Sequence, residues 1–153
     1  MRLIFGQQLA KWALDRIPEM QGTGFGPCDC IGFANENGIA AVVVYHGYRE
    51  KDGDIQISFA TAGPKWATRG NIRAAFHYPF CQLGCRRVTC YTPKYNTASR
   101  KLLKGLGFEL EGRIRFALNR HDHVLVYGML KEECRWLKEP EHVQIRTVAA
   151  RSA

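Results

Sequence analysis

The chain has no long apolar run, and nothing in it approaches the roughly 20 consecutive apolar residues of a membrane-spanning helix. Its opening residues, Met1-Arg2-Leu3-Ile4-Phe5-Gly6-Gln7-Gln8, lack the apolar core of a secretory signal. A cytoplasmic protein is therefore expected, with its six cysteines as reduced thiols. Paired C-x2-C arrays are missing too. Cys28-x-Cys30, Cys81-x3-Cys85, Cys90 and Cys134 do not repeat a structural zinc pattern, and His121-x-His123 adds two donors without a set around them. The cysteines read as structural or incidental, and no metal is expected. The glycine-rich stretch 22–27 has no Lys-Ser/Thr of a phosphate loop and precedes a strand rather than a helix, so it reads as a flexible connection. No internal repeat is present. Acidic residues are scarce: 14 Asp and Glu against 22 Lys and Arg leave a formal charge of +8. That balance favours an anionic partner, whether nucleotide, nucleic acid or acidic surface, but identifies none.

What is present suits one globular unit. A length of 153 residues, with 46% hydrophobic and 24% charged, is enough to bury one core. Leu9, Trp12, Ala13 and Ile17 recur at helical spacing over 7–16, and Pro18 ends that helix. Three strands follow, at 30–34, 39–48 and 54–61. Asn37-Gly38 and Asp52-Gly53 are the turn signals between them, the first a strong hairpin signal because both residues tolerate positive φ. Ile72, Ala75, Phe76, Phe80 and Leu83 give a buried stripe to a long helix over 65–83, kinked at Pro79 and closed by Gly84. A strand over 87–92, a helix from Asn96, and a hairpin of strands 108–118 and 124–130 complete the order. A short helix over 131–138 and a polar tail over 139–153 come last. The expectation is an α/β (α+β) fold: a mixed, twisted sheet of about six or seven strands flanked by helices on both faces, in one domain spanning 1–138. Its single parallel junction should lie between strands 54–61 and 87–92.

The most specific local pattern is Asn96-Thr97-Ala98-Ser99 followed by Leu102, Leu103, Leu106, Gly107-Phe108 and Glu111-Gly112. Asn96 can cap the first turn, the leucines give one apolar face, and Gly107 suits a left-handed helix end. This Asn-x-x-Ser helix running into Gly-Phe and Glu-Gly resembles the GNAT family of acyl-CoA-dependent N-acetyltransferases. The serine at the fourth place is similar to the branch that acetylates ribosomal-protein N-termini. The order of elements over about 28–137 resembles the family as well.

The resemblance implies an acyltransferase enzyme that moves an acetyl group from acetyl-CoA, as co-substrate, to a primary amine by direct transfer. The acceptor class stays open among protein N-termini, lysines and small molecules. The cofactor would lie between the diverging strands, with Phe59, Ala60 and Thr61 on its pantetheine arm. Lys65, Trp66, Ala67, Thr68, Arg69 and Gly70 would face its pyrophosphate, where helix N-terminal amides favour anions. Asn96, Ser99 and Arg100 would complete the site. The chain departs from the family in two places. Counting back from Tyr78-Pro79-Phe80 puts Gly63, Trp66 and Thr68 at the three loop positions, so Trp66 replaces a glycine. Leu103 stands where many members have a tyrosine acid, and the resemblance to the N-terminal-acetylating branch implies that Ser99 contacts the leaving thiol. Ser99 is equally the third residue of a capped helix, where a hydroxyl is harmless. Asp54 and His46 are the candidate bases, each with an ordinary alternative as turn or strand residue.

The competing class is a catalytically degenerate GNAT-like module that binds a protein or nucleic acid. For RNA the chain offers only a thin platform, Tyr91, Tyr95 and Arg86-Arg87, better read as strand ends and a helix approach, so nucleic acid is not the expected partner. The oligomeric state is open, a homodimer included.

Overall fold

In the computed structural model, residues 1–138 are described, and the tail assigned to 139–153 lies outside them. One seven-stranded sheet organises the chain in the order β1-β2-β3-β4-β5-β7-β6. The strands are β1 (Arg2–Phe5), β2 (Cys28–Asn35), β3 (Gly38–Arg49), β4 (Asp54–Thr61), β5 (Arg87–Pro93), β6 (Glu109–Leu118) and β7 (Asp122–Leu130). All pairings are antiparallel except β4 with β5, which is parallel. The helices are α1 (Ala10–Leu14), α2 (Arg69–His77) and α3 (Thr97–Leu106).

Both faces of the sheet centre are buried, which is why β3 reads as an almost continuous apolar run. Ala41, Val43 and Tyr45 pack with Ile55, Ile57 and residues of α2 and α3. Val42 and Val44 point the other way, onto Leu9, Ala13 and Ile17 of the α1 side. Helices thus cover both faces.

Local chemistry sets the connections. The first hairpin forms where the sequence signals it. Its turn is Glu36-Asn37, with the Asn35 side chain accepting from the Asn37 amide at 2.9 Å. Only Gly38 of the Asn37-Gly38 pair has positive φ (110°), because the asparagine side chain closes the turn instead. Gly53 does adopt the left-handed region, φ 62°, and its carbonyl accepts from the Arg86 and Arg87 amides. That link brings the start of β5 beside the start of β4.

The expected helix over 65–83 is three pieces. Pro64–Trp66 is a 3-10 turn, α2 follows, and Tyr78–Gln82 is a π turn. Pro79 has no amide for the Ala75 carbonyl four residues back. The Tyr45 hydroxyl donates to that carbonyl instead, at 2.5 Å. Around α3 the caps are as expected: Asn96 Oδ1 accepts from the Ser99 amide at 3.0 Å, and Gly107 closes the helix at φ 104°.

Two elements depart from the sequence reading. Leu3-Ile4-Phe5 lies in an added edge strand against β2. The helix expected over 131–138 is only a 3-10 turn, Lys131–Glu133. Side chains tie that segment down: Trp136 Nε1 donates to the Leu106 carbonyl at 2.8 Å, and Arg73 donates to the Trp136 carbonyl.

Candidate active site in the cleft between diverging strands

The parallel junction lasts three residue pairs, Asp54 with Arg87, Ile55 with Val88 and Gln56 with Thr89. Beyond Gln56 the two strands separate, and the β5-facing backbone of β4 loses its ladder partner. A cavity of about 420 Å³ opens there. Phe59, Ala60 and Thr61 form one wall, Gly63, Pro64, Trp66 and Ala67 the end, and Asn96, Ala98, Ser99 and Leu102 of α3 the other wall. Arg16 reaches it from the chain just beyond α1.

The expected cofactor residues divide. Phe59, Ala60, Thr61, Trp66, Ala67, Asn96 and Ser99 come together on this cavity. Lys65, Thr68, Arg69, Gly70 and Arg100 do not line it. Lys65 borders an adjoining hollow with Asn35, Asn37 and Ala62, which shares Gly63, Pro64 and Trp66 with this cavity. Thr68 uses its hydroxyl to cap α2, accepting from the Asn71 amide at 3.2 Å. Arg69 donates to the Lys138 carbonyl at 3.4 Å, and Gly70 faces a groove with Leu3 and Phe5. Arg100 donates to the Lys94 carbonyl and borders a groove with Lys101, Lys104 and Tyr127.

Trp66 is not an obstacle lying across the loop. It is 2% exposed, with its ring 5.5 Å from Phe33 and 6.1 Å from Phe59, and it forms the floor on which the cavity rests. Leu103 is fully buried in the core, while Leu102 turns to the cavity.

The two candidate bases sit elsewhere. Asp54 is at the paired end of β4, seven residues before Thr61, or roughly 23 Å at ~3.3 Å per residue. It is buried, accepts from Thr89 Oγ1 at 2.8 Å, and pairs with Arg49 at 3.2 Å and Arg87 at 3.5 Å. Those contacts give the carboxylate a structural duty, and the fold does not bring it to the cavity. His46 lies on the α1 side of the sheet, with Nε2 2.9 Å from Ser58 Oγ and the Phe25 ring at 5.1 Å. Burial lowers its pKa from 6.5 to about 4, so the ring is neutral at pH 7.

All six cysteines are free. Burial pushes the Cys30 and Cys90 thiols up to about 12, Cys30 with help from the neighbouring Cys28, so neither is a thiolate at neutral pH. Among the described residues no group of three or more His, Cys, Asp or Glu is placed to hold a metal.

Arg16, Pro64, Ala98 and Leu102 are cavity residues that the sequence did not assign to the site, and Gly63 was placed only as a loop-motif position. Ala98 and Leu102 share the helical face that carries Asn96 and Ser99, and that spacing was a usable signal. For Arg16 no local signal existed, since its position depends on how α1 crosses the sheet.

No protein-family model matches the sequence, and no curated protein matches it. Solved structures do match in three dimensions. A probable acetyltransferase superposes with TM-score 0.56 at 25% identity, over 68% of this chain and 62% of its own. A spermidine N-acetyltransferase variant from Vibrio cholerae superposes with TM-score 0.65 at 12% identity, over 90% and 98%. The ribosomal-protein-S5-alanine acetyltransferase of Vibrio fischeri gives TM-score 0.59 at 18% identity, over 71% and 64%. This chain spans less than two thirds of the first and third of these proteins. The fold is the GNAT fold, the one shared by these acetyltransferases.

Proposed function

We propose that the protein is an N-acetyltransferase that moves an acetyl group from acetyl-CoA to a primary amine by direct transfer. One observation carries the reading: the unpartnered backbone of β4 faces Asn96 and Ser99 across a single cavity, at the point where β4 and β5 part. An unpaired strand edge offers amides and carbonyls to an extended, amide-bearing ligand, and the pantetheine arm has that chemistry. The likeness to acetyltransferase structures supports the same assignment.

When bound, the acyl thioester supplies an electrophilic carbonyl and a thiolate leaving group. The chain's own residues hold and orient. Residues 59–61 align the arm, Asn96 fixes the first turn of α3, and that turn carries Ser99 on the cavity wall. Ser99 is assigned to donate to the departing sulfur, since Leu103 has no proton to give. The amine enters neutral, or loses its ammonium proton to water, and the proton it sheds on attack passes through water to replace the one Ser99 gives the sulfur. His46 is a poor acceptor for an ammonium group, because its pKa of about 4 lies far below that of an amine. Direct transfer suits a site whose cavity holds no cysteine.

We assign residues 1–138 to one such unit and 139–153 to a polar tail, and reduced thiols suit a cytoplasmic setting. The acceptor class is a primary amine on a protein N-terminus, a lysine or a small molecule. Titration calorimetry with acetyl-CoA, then thiol release with a panel of amines, tests the assignment. Binding with amine-dependent thiol release is expected. No binding at millimolar acetyl-CoA would leave a GNAT-fold module without transferase activity.

A further inference from the structure

We infer that Arg16 is the charged contact for the diphosphate of the acyl carrier, supplied from the α1 side of the sheet. The inference rests on the reading that the cavity takes an acyl-CoA.

Part of the loop at the cavity's end has its donors committed. Pro64 has none. The Ala67 amide is spent on the Pro64 carbonyl, the Thr68 amide on the Trp66 carbonyl, and the Asn71 amide on Thr68 Oγ1. The two loop cations do not line the cavity: Lys65 borders the adjoining hollow, which shares Gly63, Pro64 and Trp66 with it, and Arg69 reaches the Lys138 carbonyl. Among the described residues Arg16 is the one charged side chain that lines it, and no carboxylate accompanies it there. An unbalanced cation in a cleft selects for an anionic ligand group.

Arg16 is also held ready. Its guanidinium lies 3.5 Å from the centre of the Trp12 ring, and Nη1 donates to the Trp12 carbonyl at 3.1 Å. Among the described residues it joins no salt bridge. Stacking fixes the plane of the fork while leaving donors for a phosphate, the geometry that favours arginine over lysine.

The test is calorimetry on the full chain with two ligands, acetyl-CoA and S-acetylpantetheine, which lacks the diphosphate. Arg16→Ala should weaken acetyl-CoA binding about tenfold to a hundredfold and leave S-acetylpantetheine affinity unchanged. Arg16→Lys should restore part of the loss, and added salt should narrow the gap between wild type and Arg16→Ala. An equal loss for both ligands, or no loss for either, would overturn the inference. So would intact acetyl-CoA affinity with a raised KM for the amine, which would assign Arg16 to the acceptor instead. A wild-type chain that binds neither ligand would instead refute the acyl-CoA reading beneath it.

Discussion

The two ends of β4 use the same kind of backbone for opposite purposes. At its start, Asp54, Ile55 and Gln56 pair with β5, and the Asp54 carboxylate is saturated by Thr89, Arg49 and Arg87. At its end, Phe59, Ala60 and Thr61 have β3 on one side and a cavity on the other. One end has its polar groups satisfied within the protein. The other leaves them for a ligand. On the proposed reading, a carboxylate at the closed end lies far from the reacting atoms, although its residue type alone would make it a candidate base.

The sharpest way to break that contrast is to remove the floor of the open end. Trp66→Ala should destabilise the fold by about 3–5 kcal/mol, the usual cost of deleting a large buried aromatic side chain. Read as a residue in a phosphate loop, Trp66 would seem worth replacing by glycine to restore backbone access. Its burial against Phe33 and Phe59 reverses that expectation. Denaturant unfolding decides the matter. A variant as stable as the parent, with tighter acetyl-CoA binding, would show that the open end needs no core beneath it.

Turnover should come next in size. Ser99→Ala should slow amine acetylation about 100-fold, ~2.7 kcal/mol, the lower end of what a general acid contributes, because a thiolate is already a fair leaving group. Melting temperature and acetyl-CoA affinity should hardly change, since the cap on α3 runs through the Ser99 amide and not its hydroxyl. Unchanged turnover on a verified substrate would remove Ser99 from the chemistry.

At the closed end the effect should fall on stability alone. Asp54→Asn keeps an acceptor for Thr89 but loses the charge that Arg49 and Arg87 meet, at a cost of about 2 kcal/mol. Turnover per folded molecule should stay at the parent value. Lost turnover with unchanged stability would put Asp54 back in the mechanism and erase the difference between the two ends.

What the sequence disclosed follows the reach of the interactions involved. The bounds of β4, the Asn96 cap and the Gly107 stop depend on neighbours a few residues away, and all three were legible. So was the parallel junction, because strands separated by a helix on one face pair that way. β1 was not legible. Four residues carry no periodicity, and they become a strand only because β2 has a free edge. The segment after β7 has helical composition but takes its shape from Trp136 and Arg135 binding the end of α3. Within the site, Phe59, Ala60, Thr61, Asn96 and Ser99 follow from motif and order. Arg16 enters from the opposite face of the sheet, across a gap that no local pattern announces.

His46 offers the smallest effect and a separate check on the α1 side of the same strands. Unfolded, the ring takes a proton near pH 6.5; folded, burial holds it neutral until about pH 4. The unfolded state therefore binds more protons between those values, and stability must fall as pH drops through that window. Between pH 6.5 and 5.5 the loss from this one residue should be about 1 kcal/mol. Carboxylates titrate in the same experiment, so the readout is a difference. His46→Gln keeps a polar partner for Ser58 but removes the ionisation, and its stability should decline less over that interval than the parent's. Urea unfolding of both proteins at the two pH values measures the gap. Equal declines would mean that the ring protonates as readily in the folded chain as in the unfolded one. The reading of His46 as a weak proton acceptor would then fall, and a basic imidazole beside Ser58 would re-enter the mechanism.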